Sequence, residues 1–363
     1  MGIWKASRFL VYLVRSLVFL NILLAACSIQ AASVFVKQEN WHYSGSTPLE
    51  FFDKGWSIEP VNGADYSEGY SVSQTGVEHL GFRFGVIQKA EVSVSHSKDF
   101  IDLLYSIKRE DKLTIGRNYQ LEIDANVIRA TGLLFGYRYS TENWGAISVS
   151  YSQLESTEFY YGSWKGHAQS IAENDYDFRM DVDYYYQKDV LFDRKIEMTE
   201  GGGYTIDLEY RWESDQLDIL LRLDNVTSKI VWPKAPHTKA VADNNTKEYN
   251  ENGYVIFRPL LNGNETNDVL AQQLPKRTFL NVDFVELPQR LFVHLLCTPF
   301  NCYPKMGAGY SWRSSLYRVS YEPITESVGF GIEGNSFSGL LSLNNTPKRA
   351  TSVSVLLGLN LSF

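Results

Sequence analysis

The sequence has little that could staple a small fold, hold a metal or build a helical membrane bundle. Three cysteines and six histidines are spread over 363 residues, too few for a disulfide-dense scaffold or a clustered zinc site. One long apolar run occurs, at the N-terminus, and the mean hydropathy is -0.23, which excludes a bundle of transmembrane helices. There is no Gly-rich phosphate loop, no metal-spaced His/Cys cluster and no basic aromatic stripe, so neither a cofactor nor a nucleic-acid partner is expected. What is present is apolar and aromatic, 44% and 14% of the chain, with 23 Tyr and 20 Phe. That content excludes a disordered protein.

Residues 1–32 carry Lys5, Arg8 and Arg15 and no acid, then the run Leu17 to Ala26, then small residues. This is the order of a secretory signal, with cleavage expected near Ala31 or Ala32. Arg15 interrupts the apolar stretch, and the run after it is shorter than the ~20 residues a spanning helix needs. Leu24-Ala25-Ala26-Cys27 also fits a bacterial lipobox, which would lipidate Cys27. Removing the segment leaves 31 basic residues against 42 acidic ones, so the net charge goes from -8 to -11. Cys297 and Cys302 then remain, close enough to clip one loop as a disulfide in an oxidising compartment.

From about Leu80 onward the dominant pattern has a period of two, in segments of roughly 8 to 12 residues. Tyr176, Phe178, Met180, Val182, Tyr184 and Tyr186 alternate with Asp177, Arg179, Asp181, Asp183, Tyr185 and Gln187. Tyr204, Ile206, Leu208, Tyr210 and Trp212 alternate with Thr205, Asp207, Glu209 and Arg211, and Leu217, Ile219, Leu221 and Leu223 with Asp218, Arg222 and Asp224. Each segment is a strand with one apolar and one polar face. Lys98 to Ile107 is ambiguous. A soluble sandwich and a transmembrane barrel both make such strands; aromatic groups such as Phe159 to Trp164, Tyr184 to Tyr186, and Tyr210 with Trp212 favour the barrel, where aromatic girdles mark the bilayer interfaces.

The last segment places Val353, Val355, Leu357, Leu359, Leu361 and Phe363 on one face and ends on Phe363. It resembles the closing strand of a Gram-negative outer membrane β-barrel. The resemblance implies an outer membrane location and a chain embedded in outer membrane lipid. It also implies that Leu359, Leu361 and Phe363 are read by the barrel-assembly machinery. The expected fold is therefore all-β: a transmembrane antiparallel β-barrel of about 14 strands, within 12 to 16. The expected division is 1–32 signal, 33–77 a periplasmic lead-in or a plug that could meet a periplasmic partner, and 78–363 barrel. Pro233 to Asn252 and Asn262 to Lys276 read as long polar loops for the extracellular side, with short turns such as Glu213-Ser214-Asp215 on the periplasmic side. In length and strand number the chain is also similar to the fatty-acid-transporter type of hydrophobic-compound channel, without a motif specific to it.

The ten charges Asp177, Arg179, Asp181, Asp183, Asp207, Glu209, Arg211, Asp218, Arg222 and Asp224 cannot face lipid, where a midplane charge costs roughly 2 to 4 kcal/mol. They are expected to face the lumen, either as a salt-bridge lattice that fills it or as the lining of a water-filled path. A protease built on Asp181 and Asp183 with His167 or His237 is the enzymatic reading weighed against this; strand charges already have an ordinary explanation, and a non-enzyme is expected. His96-Ser97 sit on opposite faces of a strand and are poorly placed as a nucleophile and base. The functional expectation is a channel or transporter for a small solute. The competing class is a non-conducting assembly barrel of a secretion, conjugation or polysaccharide export system.

Overall fold

A computed structural model describes residues 33–47, 60, 65–189, 196–244, 248–249, 255–256, 260–285, 289–346 and 349–362. The signal segment with Cys27, and Phe363, lie outside the described residues. The strands in chain order are β1 Ser33–Ser44, β2 Tyr66–His79, β3 Phe82–His96, β4 Asn118–Thr141, β5 Gly145–Ala172, β6 Asp175–Tyr186, β7 Gly201–Glu213, β8 Leu217–Asp243, β9 Glu248–Tyr249, β10 Val255–Ile256, β11 Leu260–Gln272, β12 Arg277–Phe284, β13 Gln289–Cys297, β14 Cys302–Trp312, β15 Ser315–Glu322, β16 Ser327–Glu333, β17 Phe337–Leu343 and β18 Ser352–Ser362. Among the described residues one helix, α1, spans Lys98–Arg109.

All strands but β9 and β10 belong to one 16-stranded antiparallel sheet. The sheet closes where β18 pairs with β1, Ser33 opposite Ser362 and Tyr43 opposite Ser352. Leaving out β6 and β11, which pair only with the upper parts of β5 and β8, gives a closed 14-strand barrel. Closure removes the free edges that an open sheet would expose.

Within the segment 33–77, read from the sequence as a lead-in or plug, residues 48–59 and 61–64 lie outside the described residues, and β1 and most of β2 are wall strands that complete the closure. Their alternation is weak because Gln38, Asn40 and His42 of β1 and Ser71, Ser73 and Thr75 of β2 occupy the outward face, where neighbouring strands carry apolar residues. Pro233 to Asn252 is likewise not wholly a loop, since β8 continues to Asp243, and Asn262 to Gln272 is strand β11. The strand parts of both stretches rise above the barrel, where no lipid-facing apolar face is required.

Ser33, Ser362 and the short turns share one end of the barrel. There Leu80 (φ 52°) and Gly81 (φ 81°) make a two-residue hairpin, and the twist of such turns requires left-handed residues. A Cβ on Gly81 would lie 2.5 Å from the Arg138 carbonyl oxygen. The other end is uneven. β13 to β17 have 7 to 11 residues, close to the 9–11 a bilayer requires, whereas β4, β5 and β8 have 24, 28 and 27. The excess forms a sheet extension, β4-β5-β6-β8-β11, on one side of the mouth.

Helix α1 leans on the outer face of this extension. Ser97 caps it, its Oγ accepting from Phe100 N at 3.2 Å, and Glu110 ends it in the left-handed conformation. Phe100, Leu103 and Ile107 pack with Leu113, Tyr119, Leu121, Ala168 and Phe178.

The outward face of the barrel is apolar and exposed: Phe84, Phe135, Val149, Leu291, Val319, Leu341 and Leu357 lie along it, with Phe330 65% exposed. Tyr137, Tyr139, Trp144, Tyr310, Trp312 and Tyr317 gather near the short-turn end. A continuous apolar face of this extent is far larger than soluble monomers show. Of the aromatic groups singled out in the sequence, Tyr210 and Trp212 lie on this outward face. The others belong to the extension: Tyr160, Trp164, Tyr184 and Tyr186 pack on its outer side, while Phe159 and Tyr185 join the buried cluster on the inner side.

Candidate functional site

The registers fix which side chains point inward. Lys89 and Glu91 of β3 face the same way as Ala130 and Ile128 of β4; Ile128 pairs with Phe159 of β5, and that face continues through Ser163, Lys165 and His167 to Asp183, Asp181 and Arg179 of β6. All ten charges named from the sequence share this inner face, at three levels. Arg211 and Asp218 pair at 2.7 Å near the short-turn end, with Glu209 on the neighbouring row. Asp207, Arg222 and Asp224 lie at mid-height in the lumen, and Asp177, Arg179, Asp181 and Asp183 line the extension above it.

At mid-height buried side chains of the described residues reach across the lumen. Arg222 grips Glu39 of β1 with two bonds, Nη2 to Oε1 at 2.8 Å and Nη1 to Oε2 at 3.0 Å, and its Nε lies 3.1 Å from Asp224. Arg277 of β12 forks onto Glu91, with Nη2 to Oε1 at 3.0 Å, and its Nη2 lies 3.5 Å from Asp224. Lys89 donates to both oxygens of Asp207, at 2.9 and 3.1 Å, and to Asn225 Oδ1 at 2.8 Å. Lys37 reaches Glu39 at 3.0 Å. Glu39, Glu91, Asp207 and Asp224 thus face Lys37, Lys89, Arg222 and Arg277, so the lattice is neutral by itself. Aromatic rings complete it: Arg222 lies 3.8 Å from the Phe279 centroid and Arg277 4.1 Å from that of Tyr70.

Asn225 is the hub. Between Leu223 and Thr227, β8 has four steps of backbone against two in β7, from Leu208 to Ile206, a bulge that turns the strand inward. Asn225 adopts φ 56° there, a conformation Asn tolerates better than most residues. Its N–H donates to Asp207 at 2.7 Å, and its amide to Pro275 O at 2.7 Å and Glu91 at 3.3 Å. The bulge thereby ties the wall to the lattice and to the 273–276 link that precedes β12.

Within and above the lattice, Trp41, Tyr43, Tyr70, Phe159, Trp232, Leu270, Leu274, Phe279 and Tyr303 form one buried cluster. Trp232 stacks on Phe159 at 3.9 Å and donates Nε1–H to Gln272 at 3.2 Å. The cavity between Trp41, Glu68, Tyr70, Glu91 and Arg277 measures about 10 Å³, room for one water at most. At the far end Cys297 and Cys302 form a disulfide across the β13–β14 hairpin. The turn they close leans inward: Thr298 donates to Glu68 at 2.9 Å, as does Tyr303 at 2.6 Å.

The extension opens over this plug as a polar vestibule. His237 of β8 stacks flat on Tyr185, with centroids 4.0 Å apart, and bridges two carboxylates, Nε2 to Asp183 and Nδ1 to Asp268, each at 2.8 Å. Bonds from Thr266 and His237 hold the Asp268 carboxyl below its ordinary range. Asp181 and Asp183 do share a face with His237 nearby, but both His237 nitrogens are committed, and His167 of β5 is opposite Arg179 of β6. His96 meets Ser46 Oγ at 3.1 Å, not Ser97, whose hydroxyl caps α1.

The sequence pattern identifies the lattice residues Asp207, Arg222 and Asp224 of β7 and β8 but not their partners Lys37, Glu39, Lys89, Glu91, Asn225 and Arg277. For β3 a signal exists: continuing Phe82-Phe84-Val86 inward gives Ile87, Lys89 and Glu91 on the other face. Glu39 and Arg277 have no such frame, the first in a strand polar on both faces, the second just after Pro275-Lys276.

No protein-family model matches the sequence, and no curated relative does. Among solved structures the chain is similar to the P. putida toluene transporter TodX, with 8% identity and a TM-score of 0.40 over 94% of this chain and 92% of that one. It is similar to a Pseudomonas aeruginosa FadL homologue, with 11% identity and 0.33 over 92% and 90%. The translocator domain of the autotransporter NalP from Neisseria meningitidis gives 9% and 0.29 over 99% and 98%. Likeness at this level assigns no activity.

Proposed function

We propose that this chain is a channel of a Gram-negative outer membrane that passes a small solute and is closed in the conformation described. The observation that carries the reading is the continuity of one charged inner face. It runs from a solvent-exposed vestibule, where Lys239 is 72% and Asp183 48% exposed, to a buried lattice that stops the lumen. A lattice of discrete ion pairs can rearrange, whereas a jigsaw of aliphatic residues has one arrangement. The apolar outward belt supplies the lipid contact. In this reading the short-turn end is periplasmic and the extension extracellular. Leu359 and Leu361 of β18, with Phe363 after it in the sequence, form the segment the assembly machinery reads.

The test is solute influx into liposomes containing the purified chain. Small amino acids or sugars should enter faster than in empty vesicles, and faster still when Glu39→Gln and Arg222→Gln are combined. Influx at the empty-vesicle rate from both proteins, with each shown to be a folded, heat-modifiable barrel, overturns the channel reading in favour of a structural barrel.

A further inference from the structure

In the vestibule, the inner faces of β5, β6, β8 and β11 line a cleft of about 290 Å³, close to the lower end for small-molecule sites. Its polar lining is Ser163, Lys165, Asp181, Asp183, Lys239 and Asn262, with Val241 as its apolar patch. Two of its four charges are engaged. Asp183 accepts from His237 at 2.8 Å and lies 3.5 Å from Lys239 Nζ. The other two are directly opposed across β5 and β6, Lys165 beside Asp181. Opposed side chains start about 5 Å apart at Cβ, yet among the described residues the Lys165 ammonium and the Asp181 carboxylate make no ion pair with each other or with anything else. Glu122, on the other flank of Lys165, takes a bond from Gln120 at 2.8 Å.

We infer that this cleft is a binding subsite for a small zwitterion of the amino-acid or dipeptide class, its ammonium on Asp181 and its carboxylate on Lys165. The charge arrangement selects against the simpler ions. A lone anion at Lys165 meets Asp181 and Glu122, and a lone cation at Asp181 meets Lys165, with Lys239 one strand away. Only a molecule with both signs leaves no like charge unanswered. Ser163 and Asn262 supply neutral hydrogen-bonding groups beside the charged pair, and Val241 takes a short apolar side chain. The subsite deepens the channel reading and rests on it only for its role, since binding is measured without flux.

The experiment is calorimetric titration of the detergent-solubilised full chain with glycylglycine, glycylglycinamide, which lacks the carboxylate, and N-acetylglycylglycine, which lacks the ammonium. Saturable binding of glycylglycine is expected, with each blocked analogue weaker by about tenfold or more, the weight of one charge-assisted bond. Lys165→Met should bring glycylglycinamide level with glycylglycine, and Asp181→Asn should do the same for the acetylated compound. Both changes lie on a solvent-facing surface, and heat-modifiable migration of each variant establishes that it folds. Absence of saturable binding, equal binding of all three compounds, or variants that retain the wild-type ranking overturns the subsite. Failure of influx with binding intact would instead count against the channel.

Discussion

Replacing Arg277 by Met should be among the most damaging single changes in the barrel. The side chain is 3% exposed and its partner Glu91 is 0% exposed. The substitution removes the fork onto Glu91, the 3.5 Å contact with Asp224 and the ring contact with Tyr70. Asp224 keeps Arg222 at 3.1 Å, but Glu91 is left with the Asn225 amide at 3.3 Å. An uncompensated buried charge costs about 3–5 kcal/mol. The assay is urea unfolding in lipid vesicles, followed by the fluorescence of the buried Trp41 and Trp232 and by gel mobility. Adding Glu91→Leu removes the stranded charge, so the double variant should recover about 2 kcal/mol or more of the loss. A single-variant cost below about 1 kcal/mol, or additive losses in the double, would refute the claim that this pair is desolvated and mutually dependent.

Three other perturbations have defined outcomes. Asn225→Ala removes the hub bonds to Lys89, Glu91 and Pro275 and places a less tolerant residue at φ 56°, so the same unfolding assay should show a loss of about 2–4 kcal/mol, and a loss below about 0.5 would contradict its role. Replacing Cys297 and Cys302 by Ser opens a six-residue loop, worth about 2 kcal/mol by chain entropy; protease cutting within 298–301 should rise, and an unchanged digestion pattern would count against the clip. The folded-state pKa of Asp268 is depressed, so its contribution is full above the unfolded value, near 3.9, and is lost as pH falls through the lower folded value. Hydrogen exchange of the β8–β11 pairing around His237 and Thr266 should therefore differ between wild type and Asp268→Asn above pH 4. The two should converge in stronger acid, and a gap that persists there would contradict the assignment.

What the sequence makes legible is whatever lipid demands. β18, β7 and the lower part of β8 must each show apolar residues at every second position to a bilayer or its interface, so their faces are readable from Val353 to Leu361 and from Leu217 to Leu223. β1 and β2 hide because Gln38, Asn40, Ser71 and Ser73 put polar residues outward as well as inward, leaving no alternation to see. The upper part of β8 and all of β11 hide for a different reason: above the barrel a strand can be polar on one face and small on the other, as Lys239 and Ala240 are. The lumen charges follow the same logic. That Asp207, Arg222 and Asp224 face inward is written in their own strands. The meetings of Asp207 with Lys89, of Arg222 with Glu39 and of Arg277 with Glu91 depend on closure, which joins residues 118 to 186 positions apart, and local pattern carries no record of them.

Single-channel recording in planar bilayers addresses the closed-channel reading with the fewest intervening steps. The wild-type barrel should be silent or open only briefly. Glu39→Gln with Glu91→Gln, which breaks the lattice on two sides, should give long openings with a conductance that scales with salt. A lattice variant that inserts as a folded barrel and stays silent at every voltage would contradict the reading.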